Sequence, residues 1–254
     1  MTRYFCHHHP AQLSGGEQQR QDYPLTTNLD VKVLAAEPDR IFVDQSPFIP
    51  GGGGQLADWG VIISDDVSAN VVAIEVAQDG VWHSIDVATG EPDSVTLRID
   101  EYHRRLQSEL HTLSHVVNAV VFQAFDGALL TGAQLNDNGA LRIDFDLPGV
   151  DNDRLRSLEK SINEAASADH EVSTFSMNWG DAEAEAGLFR AKSAAPPKSE
   201  DDTVRIVPIG DLDRQACGGT HVISTGHCRP IRIMKIENKG RQNRRVRVGI
   251  ADLI

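Results

Sequence analysis

The stretch Leu97–Phe125, LRIDEYHRRLQSELHTLSHVVNAVVFQAF, contains the change of pattern that decides the fold. Its first four residues, up to Asp100, have the pattern of a strand that closes a β-rich region. The apolar residues that follow recur at three- and four-residue intervals, which predicts one long helix to about Phe125. These residues are Leu106, Leu110, Leu113, Val117, Val120 and Val121. We therefore expect two domains, at residues 1–100 and 101–254.

The residues before this boundary are predicted to form a small β-rich, barrel-like domain. Between Leu29 and Arg98, short apolar stretches are broken repeatedly by Gly, Pro, Asp and Asn, which is typical of short strands joined by turns. The stretches include Val31–Leu34, Arg40–Val43, Gly60–Ile63 and Val71–Ile74.

The residues after the boundary are predicted to form an α+β domain with a mainly antiparallel sheet. Asp151 or Asn152 can cap a second helix, whose apolar positions run from Leu155 to Ala165. An exposed loop is expected at residues 194–198, and the last two strands should form a hairpin. The predicted strands are Leu141–Phe145, Val172–Trp179, Val204–Ile209, Ile231–Glu237 and Arg244–Ile250.

Length and composition predict a folded soluble protein. The chain has 254 residues, of which 40% are hydrophobic and 24% charged, and this usage is ordinary for a globular protein. No apolar run approaches the roughly 20 residues of a membrane span, and the start lacks a signal-peptide core, so the expected compartment is the cytoplasm. Three cysteines argue against a disulfide scaffold and favour free thiols or metal ligation.

The charge distribution is uneven. A net charge of −13 argues against binding to nucleic acid, because phosphate contacts depend on Lys and Arg. Residues 229–247, however, contain eight Lys and Arg residues and only one acidic residue, Glu237. Such a basic segment is either a solvated strand pair or a surface that contacts phosphate groups.

Two short motifs together predict a zinc site. His111 and His115 lie one helical turn apart, so both imidazoles share one helix face. In Cys217-Gly-Gly-Thr-His221, the two glycines permit a tight turn that brings a thiolate and an imidazole together. Either motif alone is equally explained by a surface histidine pair or a buried cysteine, whereas the combined set matches zinc better than Mg²⁺ or Ca²⁺.

The role of that zinc is left open by the motifs. Four protein ligands are typical of a structural site, whereas hydrolytic zinc keeps one position for water. Zinc that activates water, zinc that only orients substrate and zinc that only stabilises the fold are therefore three alternatives.

Other histidines and cysteines are weaker candidates. The tract Cys6–His9 could bind metal, but an amino-terminal tail or surface strand offers little preorganisation. His227 and Cys228 are rival ligands whose spacing is less favourable than that of the motif before them. His83 and His103 are either ordinary polar residues or groups that line a pocket and transfer protons.

Several motifs occur in an ordered series along most of the chain. They are Ser46–Gln55 with Asp58 and Gly60, Val81–His83, His111–His115, Arg142–Phe145, Cys217–His221, and Glu237–Gly240 with Asn243–Arg245. With these motifs the chain resembles the second additional domain of alanyl- and threonyl-tRNA synthetases and the free-standing alanyl-tRNA editing proteins related to it.

The resemblance implies a zinc-dependent deacylase that hydrolyses the ester bond of mischarged aminoacyl-tRNA, acting in trans without an aminoacylation domain. The family's metal ligands fall on His111, His115, Cys217 and His221, and its glycine-rich segment near the editing pocket falls on Gly51–Gln55. The catalytic residues are then expected to be His111, His115, Cys217 and Gln55. The substrate-binding residues are expected to be Ser46, Gly52, Gly53, Gly54, Gln55, Arg244 and Arg245.

Departures from the family pattern concern the amino acid that is removed. Family members usually carry Thr at the position of Ser46, and Tyr-Pro-Glu at Ile49–Gly51. The expected substrates are Ser-tRNA(Ala) or Gly-tRNA(Ala), with a threonine-like or non-standard aminoacyl-tRNA(Thr) as an alternative. Two further alternatives are a zinc-stabilised tRNA-binding module without catalysis, and a hydrolase of another acyl ester, which needs no basic segment.

Overall fold

The computed structural model describes residues 3–4, 19–20, 27–65, 67–192, 199 and 201–254. Among these, residues 3–4, 27–52 and 56–105 form one compact unit, and the others form a second. The boundary of this clustering falls at residues 105–106, and residues 53–55 belong to the second unit. The domain bounds 1–100 and 101–254 stay a sequence prediction. The Cys6–His9 tract and the loop at residues 194–198 lie outside the described residues.

Unit 1 is built around a closed six-stranded barrel. In chain order its strands are β3 (Asn28–Glu37), β4 (Arg40–Val43), β6 (Gly60–Ser64), β7 (Val67–Ala77), β8 (Gly80–Ile85) and β9 (Ser94–Ile99), closed in the order β3-β4-β8-β7-β6-β9. Two short strands, β1 (Arg3–Tyr4) and β5 (Gln45–Ser46), pair in parallel. Alternate side chains such as Ile41, Val43 and Leu97 fill the barrel. The predicted β-rich, barrel-like fold is confirmed.

A buried ion pair fixes the loop between β5 and β6. Asp58 accepts hydrogen bonds from the Arg104 guanidinium, and Arg104 also donates to the Pro47 carbonyl at 2.8 Å. Asp58 accepts a further bond from the Ile49 amide at 2.6 Å, and its own amide donates to the Ile49 carbonyl at 3.0 Å. Because both charges are buried and paired, they hold the part of this loop that belongs to unit 1 in a defined conformation.

Unit 2 contains a long helix and two four-stranded sheets. Helix α1 (Glu101–Ala124) begins in unit 1 and belongs to unit 2 from Leu106 onward. The first sheet has the order β10-β11-β16-β15 and the second the order β14-β13-β12-β2, and every pairing is antiparallel. Their strands are β2 (Gln19–Arg20), β10 (Leu130–Leu135), β11 (Ala140–Asp146), β12 (Ser173–Asn178), β13 (Thr203–Ile209), β14 (Asp213–Ala216), β15 (Ile231–Lys239) and β16 (Asn243–Ile250).

The apolar stripe of α1 packs against the first sheet, so the predicted α+β class is confirmed. Leu110 and Leu113 join a core with Ile143, Phe145 and Val248. The remaining helices are α2 (Asn152–Arg156), α3 (Glu159–Ser167), α4 (Trp179–Ala184) and a single 3₁₀ turn at Thr225–His227. Within the described residues, no helix is long and apolar enough to cross a membrane.

The predicted second helix is divided into two short ones. Asp151 caps α2 as expected, because its carboxylate accepts a hydrogen bond from the Asp153 amide at 3.0 Å. The helix is interrupted at Ser157, whose hydroxyl donates to the Arg154 carbonyl at 2.7 Å and competes with the helical pattern. The apolar positions Leu155 and Ile162 nevertheless enter the same core.

Candidate metal centre

Two elements of unit 2 bring the four predicted ligands together. Helix α1 presents His111 and His115 from consecutive turns, and the turn after β14 presents Cys217 and His221. One ligand atom from each residue lies within 4.8 Å of all the others, so the group could hold a metal ion. Cys217 Sγ is 3.4 Å from His111 Nε2 and 3.5 Å from His221 Nε2.

The orientation of two imidazoles is fixed by oxygen atoms that can only accept a hydrogen bond. His111 Nδ1 lies 2.9 Å from the amide oxygen of Gln55, and His115 Nδ1 lies 3.0 Å from a carboxylate oxygen of Asp213. Each Nδ1 must therefore carry a hydrogen and donate it, so that in the neutral imidazole the free lone pair is on Nε2. This is the tautomer that a metal ligand requires.

The same tautomer follows for His221. Its Nδ1 is 3.2 Å from Thr112 Oγ1, and that hydroxyl gives its own hydrogen to the Ser108 carbonyl at 2.9 Å. Since the Thr112 hydrogen is engaged, its oxygen must accept the His221 Nδ1–H, together with the Val222 amide at 3.1 Å. All three imidazoles thus leave Nε2 as the nitrogen that can bind a metal ion in place of a proton.

The glycines of the Cys217–His221 turn allow a close approach to the histidines. A side chain at Gly219 would overlap the His111 ring and lie 2.7 Å from Gln55 Oε1. The turn is also held from behind, because Arg205 Nη1 donates to the carbonyls of Cys217 at 2.9 Å and Gly219 at 2.7 Å. A glycine at position 219 is therefore a steric requirement of the site.

The local charges favour the thiolate form of Cys217. Burial opposes ionisation, but the positive charges of His111 and His115 outweigh it and hold the pKa of Cys217 well below its usual value. Burial likewise opposes the charged form of His115, yet the Cys217 charge and the Asp213 hydrogen bond raise its pKa to about 10. Burial and the neighbouring His111 lower the pKa of His221. A thiolate is the form of cysteine that binds metal.

Asp213 is the centre of a buried network behind His115. Its side chain is fully buried and accepts hydrogen bonds from Arg190 Nη1 at 2.8 Å and Gln215 Nε2 at 2.7 Å, in addition to His115. The Arg190 guanidinium in turn lies 4.2 Å from the centre of the Phe122 ring. His115 is therefore the one imidazole of the group that is held by a carboxylate.

We expect Asp213→Asn to weaken metal binding about 10- to 100-fold, the usual cost of losing a group that orients a metal ligand. The asparagine keeps the shape of the side chain. It removes the negative charge that makes the His115 imidazole a stronger electron-pair donor to a metal ion. Competition with a coloured chelator measures the change, and the exposed Asp137→Asn is the matched control. An unchanged affinity in Asp213→Asn would contradict the role given to this carboxylate.

The other predicted site residues of unit 1 are engaged within that unit. Ser46 is fully buried, with its Oγ 2.8 Å from His83 Nε2 and bound by the Phe48 amide at 3.1 Å. Burial lowers the pKa of His83 to about 4, so its imidazole is neutral at pH 7. His103 stacks on Trp59 with ring centres 4.0 Å apart. A substrate contact from Ser46 and proton transfer by His83 or His103 stay predictions.

The glycine run has the backbone geometry of a fixed turn. Gly51, Gly52, Gly53 and Gly54 have φ values of 85°, 121°, 60° and 94°, a region that residues with side chains rarely adopt. The Gly54 carbonyl accepts a hydrogen bond from the Leu135 amide at 2.8 Å. Gln55 follows directly and is buried against His111 and Thr220. The structure thus places Gln55 behind a ligand, where it orients the imidazole, and its catalytic role stays a prediction.

The two arginines expected to bind substrate already have partners. Arg244 is buried and donates to the carbonyls of Val150 and Asn243 at 3.3 Å. Arg245 makes a bidentate pair with Asp144, both bonds being 2.8 Å long. Their substrate-binding role stays a prediction, and other cations of this sheet are more accessible.

The rival ligands do not join the group. Cys228 is half-buried, and burial together with the charge of Glu109 raises its pKa to about 12. His227 is exposed in the 3₁₀ turn. Sequence reasoning missed Asp213, Thr112 and Arg205. Two of them lie inside or four residues before a ligand motif, but their role depends on contacts that spacing does not reveal.

Comparison with known proteins identifies the family. A model described as "Threonyl and Alanyl tRNA synthetase second additional domain" matches residues 204–247. The alanyl-tRNA editing protein AlaX-M of Methanosarcina acetivorans is 32% identical over 222 residues, which cover 84% of this chain and 89% of the relative. The chain belongs to the alanyl-tRNA editing protein family. The family predicted from the ordered motifs is thereby confirmed.

Other relatives extend this result. The AlaX-M protein of Methanosarcina barkeri is 33% identical over 220 residues, which cover 84% of this chain and 89% of that protein. The alanine–tRNA ligase of Natronomonas pharaonis is 31% identical over 228 residues, which cover 87% of this chain but 24% of the ligase. The alanyl-tRNA editing family therefore shares its sequence with one part of much longer ligases.

Proposed function

We propose that this chain is a zinc-dependent aminoacyl-tRNA deacylase that hydrolyses the ester bond of mischarged tRNA, with Ser-tRNA(Ala) or Gly-tRNA(Ala) as substrate. The observation that carries the proposal is the convergence of three histidine side chains and one cysteine side chain in an alanyl-tRNA editing protein. The names of the relatives supply the tRNA and the editing reaction. The donor atoms supply the chemistry.

The donor set fits zinc. One thiolate and three neutral imidazoles are borderline and soft ligands, which favour Zn²⁺ over Mg²⁺ and Ca²⁺. The separations of 3.4 and 3.5 Å between Cys217 Sγ and two Nε2 atoms also suit a tetrahedral ion. For Zn–N and Zn–S bonds of about 2.0 and 2.3 Å, tetrahedral geometry requires a separation of about 3.5 Å.

The chain's own residues orient the imidazoles that would bind the zinc ion. When bound, zinc supplies a Lewis acid that polarises an ester carbonyl and lowers the pKa of a water molecule. Gln55, Asp213 and Thr112 hold the imidazoles in the required orientation, each through one hydrogen bond to Nδ1. This preorganisation is what keeps the reacting groups in place during hydrolysis.

The burial of the ligands indicates the side from which substrate arrives. His221 is fully buried, whereas His111 and His115 each retain 7% exposure and Cys217 is half-buried. His111, His115 and Cys217 are therefore the members of the group that solvent can reach. The aminoacyl ester approaches from the side of these residues.

Deacylation of a panel of charged tRNAs tests the proposal. The protein with zinc bound is expected to release serine or glycine from tRNA(Ala) and to leave Ala-tRNA(Ala) intact. If the only substrate hydrolysed is tRNA(Thr) carrying a threonine-like amino acid, that aminoacyl-tRNA replaces Ser-tRNA(Ala) and Gly-tRNA(Ala) as the proposed substrate. If no charged tRNA is hydrolysed while uncharged tRNA still binds, the chain is a tRNA-binding module and the deacylase proposal fails. Equal hydrolysis of simple acyl esters would point to a general esterase.

A further inference from the structure

The outer face of the sheet β10-β11-β16-β15 carries a transverse row of cations. In the strand register, Arg142 lies opposite Arg247, and Arg247 lies opposite Lys235. Their side chains are 31%, 45% and 63% exposed. We call Arg142, Arg247 and Lys235 the cationic row. It places three positive charges side by side on three neighbouring strands.

Such a row is unfavourable for the sheet by itself. Like charges directly opposite each other destabilise a strand pair. The next row, Asp144, Arg245 and Glu237, offsets this cost only in part. Glu237 accepts from Arg247 at 2.9 Å and Lys235 at 3.3 Å, while Arg142 lies 3.8 Å from Asp144. These exposed pairs contribute little stability.

The face has a positive excess on an acidic protein. With Lys239, which is 3.9 Å from Glu237, and the exposed Arg232, it carries six cations against the three carboxylates Asp144, Asp146 and Glu237. The chain as a whole has a net charge of −13. A local positive surface on such a chain attracts a polyanion to this face and away from the rest of the molecule.

The cationic row leads toward the metal centre through a continuous set of contacts within unit 2. Gln134 lies opposite Arg142 in the strand register, at the end of the row. Its Nε2 donates to the Gly54 carbonyl at 3.3 Å, and the next residue, Gln55, bonds to His111. A strand of nucleic acid that lies along the row is therefore guided toward the turn that supports a ligand.

We propose that the cationic row binds phosphate groups of the tRNA strand whose 3′ end carries the aminoacyl ester. The inference rests on the proposed deacylase function and names the surface by which its substrate is held. Arg142 and Arg247 offer planar guanidinium groups that can bind phosphate oxygens in pairs. Arg245, by contrast, already donates from Nε and Nη2 to both carboxylate oxygens of Asp144.

Glu237 competes with phosphate groups for the cations of the cationic row. Its hydrogen bonds to Arg247 and Lys235 lower its pKa to about 2, so the carboxylate is charged at neutral pH. A phosphate group must share or displace these bonds. Removing the carboxylate therefore strengthens binding, whereas removing the cations weakens it, and the two effects have opposite signs.

Binding of uncharged tRNA(Ala), followed by fluorescence anisotropy at several salt concentrations, tests the proposal. The double variant Arg247→Gln/Lys235→Gln is expected to raise Kd about tenfold near 0.1 M salt and to reduce the slope of log Kd against log salt by about two. Glu237→Gln is expected to lower Kd severalfold. The control Lys32→Gln/Lys160→Gln removes the same charge at other exposed positions.

The outcomes separate this surface from the proposed function. Unchanged Kd in the row variant, an equal loss in the control, or no tightening in Glu237→Gln would overturn the proposal. Zinc content should stay at the wild-type level throughout, since none of these residues contacts a ligand. If the wild type hydrolyses no charged tRNA but the row variant still loses tRNA binding, the surface stands and the deacylase function falls.

Discussion

Replacing Cys217 with alanine is expected to remove the metal and reduce deacylation by at least about 100-fold, more than the usual cost of losing a group behind a ligand. The thiolate is the one sulfur donor of the group and the one anionic ligand. Without it, three neutral imidazoles remain, and their affinity for zinc is lower. Metal content after dialysis and the rate of amino-acid release measure the two effects.

The chain offers a matched control for this experiment. Cys228 is the other cysteine among the described residues, and it is half-buried outside the ligand group. Cys228→Ala is expected to keep both metal and activity. Retention of one equivalent of zinc by Cys217→Ala would disprove the ligand assignment and direct attention to the Cys6–His9 tract.

Replacing Gly219 with alanine is expected to reduce metal affinity and the rate of deacylation by similar factors, although the variant keeps all four candidate ligands. The added methyl group would occupy the space of the His111 ring and crowd Gln55 Oε1. The turn cannot easily retreat, because Arg205 binds the carbonyls on both sides of it. Overpacking of this kind costs about 1–3 kcal/mol, here concentrated on the orientation of one ligand.

Gly132→Ala is the comparison for this variant. Gly132 also lies in unit 2, but a side chain there would meet Asp144 at an ordinary distance of 3.6 Å. Its zinc affinity and thermal stability should match the wild type. If Gly219→Ala binds zinc as tightly as the wild type, the turn can move to accommodate a side chain, and the steric role assigned to Gly219 is wrong.

Local patterns were sufficient to predict the long helix, most of the strands and the four residues that form the candidate metal group. The intervals between Leu106 and Val121 set the helix face, and that same periodicity places His111 beside His115. The spacing of Cys217 and His221 identified the second pair. Each of these relations spans only a few residues, which is the range over which sequence and geometry are closely linked.

The supporting groups could not be predicted, because they depend on contacts between distant residues. Gln55 and His111 are 56 positions apart, and His115 and Asp213 are 98 apart. Such pairings follow from strand register and helix docking, which no local pattern specifies. The same limit applies to Arg245. Its sequence position suggests a cation available to substrate, yet it donates a hydrogen bond to Asp144, which is 101 positions away.

Three consecutive glycines, Gly52–Gly54, restrict how this protein can evolve. Every one of them has a left-handed backbone, so a mutation to any other residue costs about 1–2 kcal/mol of strain whatever its side chain. Substitutions of these glycines are consequently expected to be rare. Natural variants with a different preference for the amino acid should therefore differ at positions flanking Gly52–Gly54, and a survey of such variants should find these three glycines unchanged.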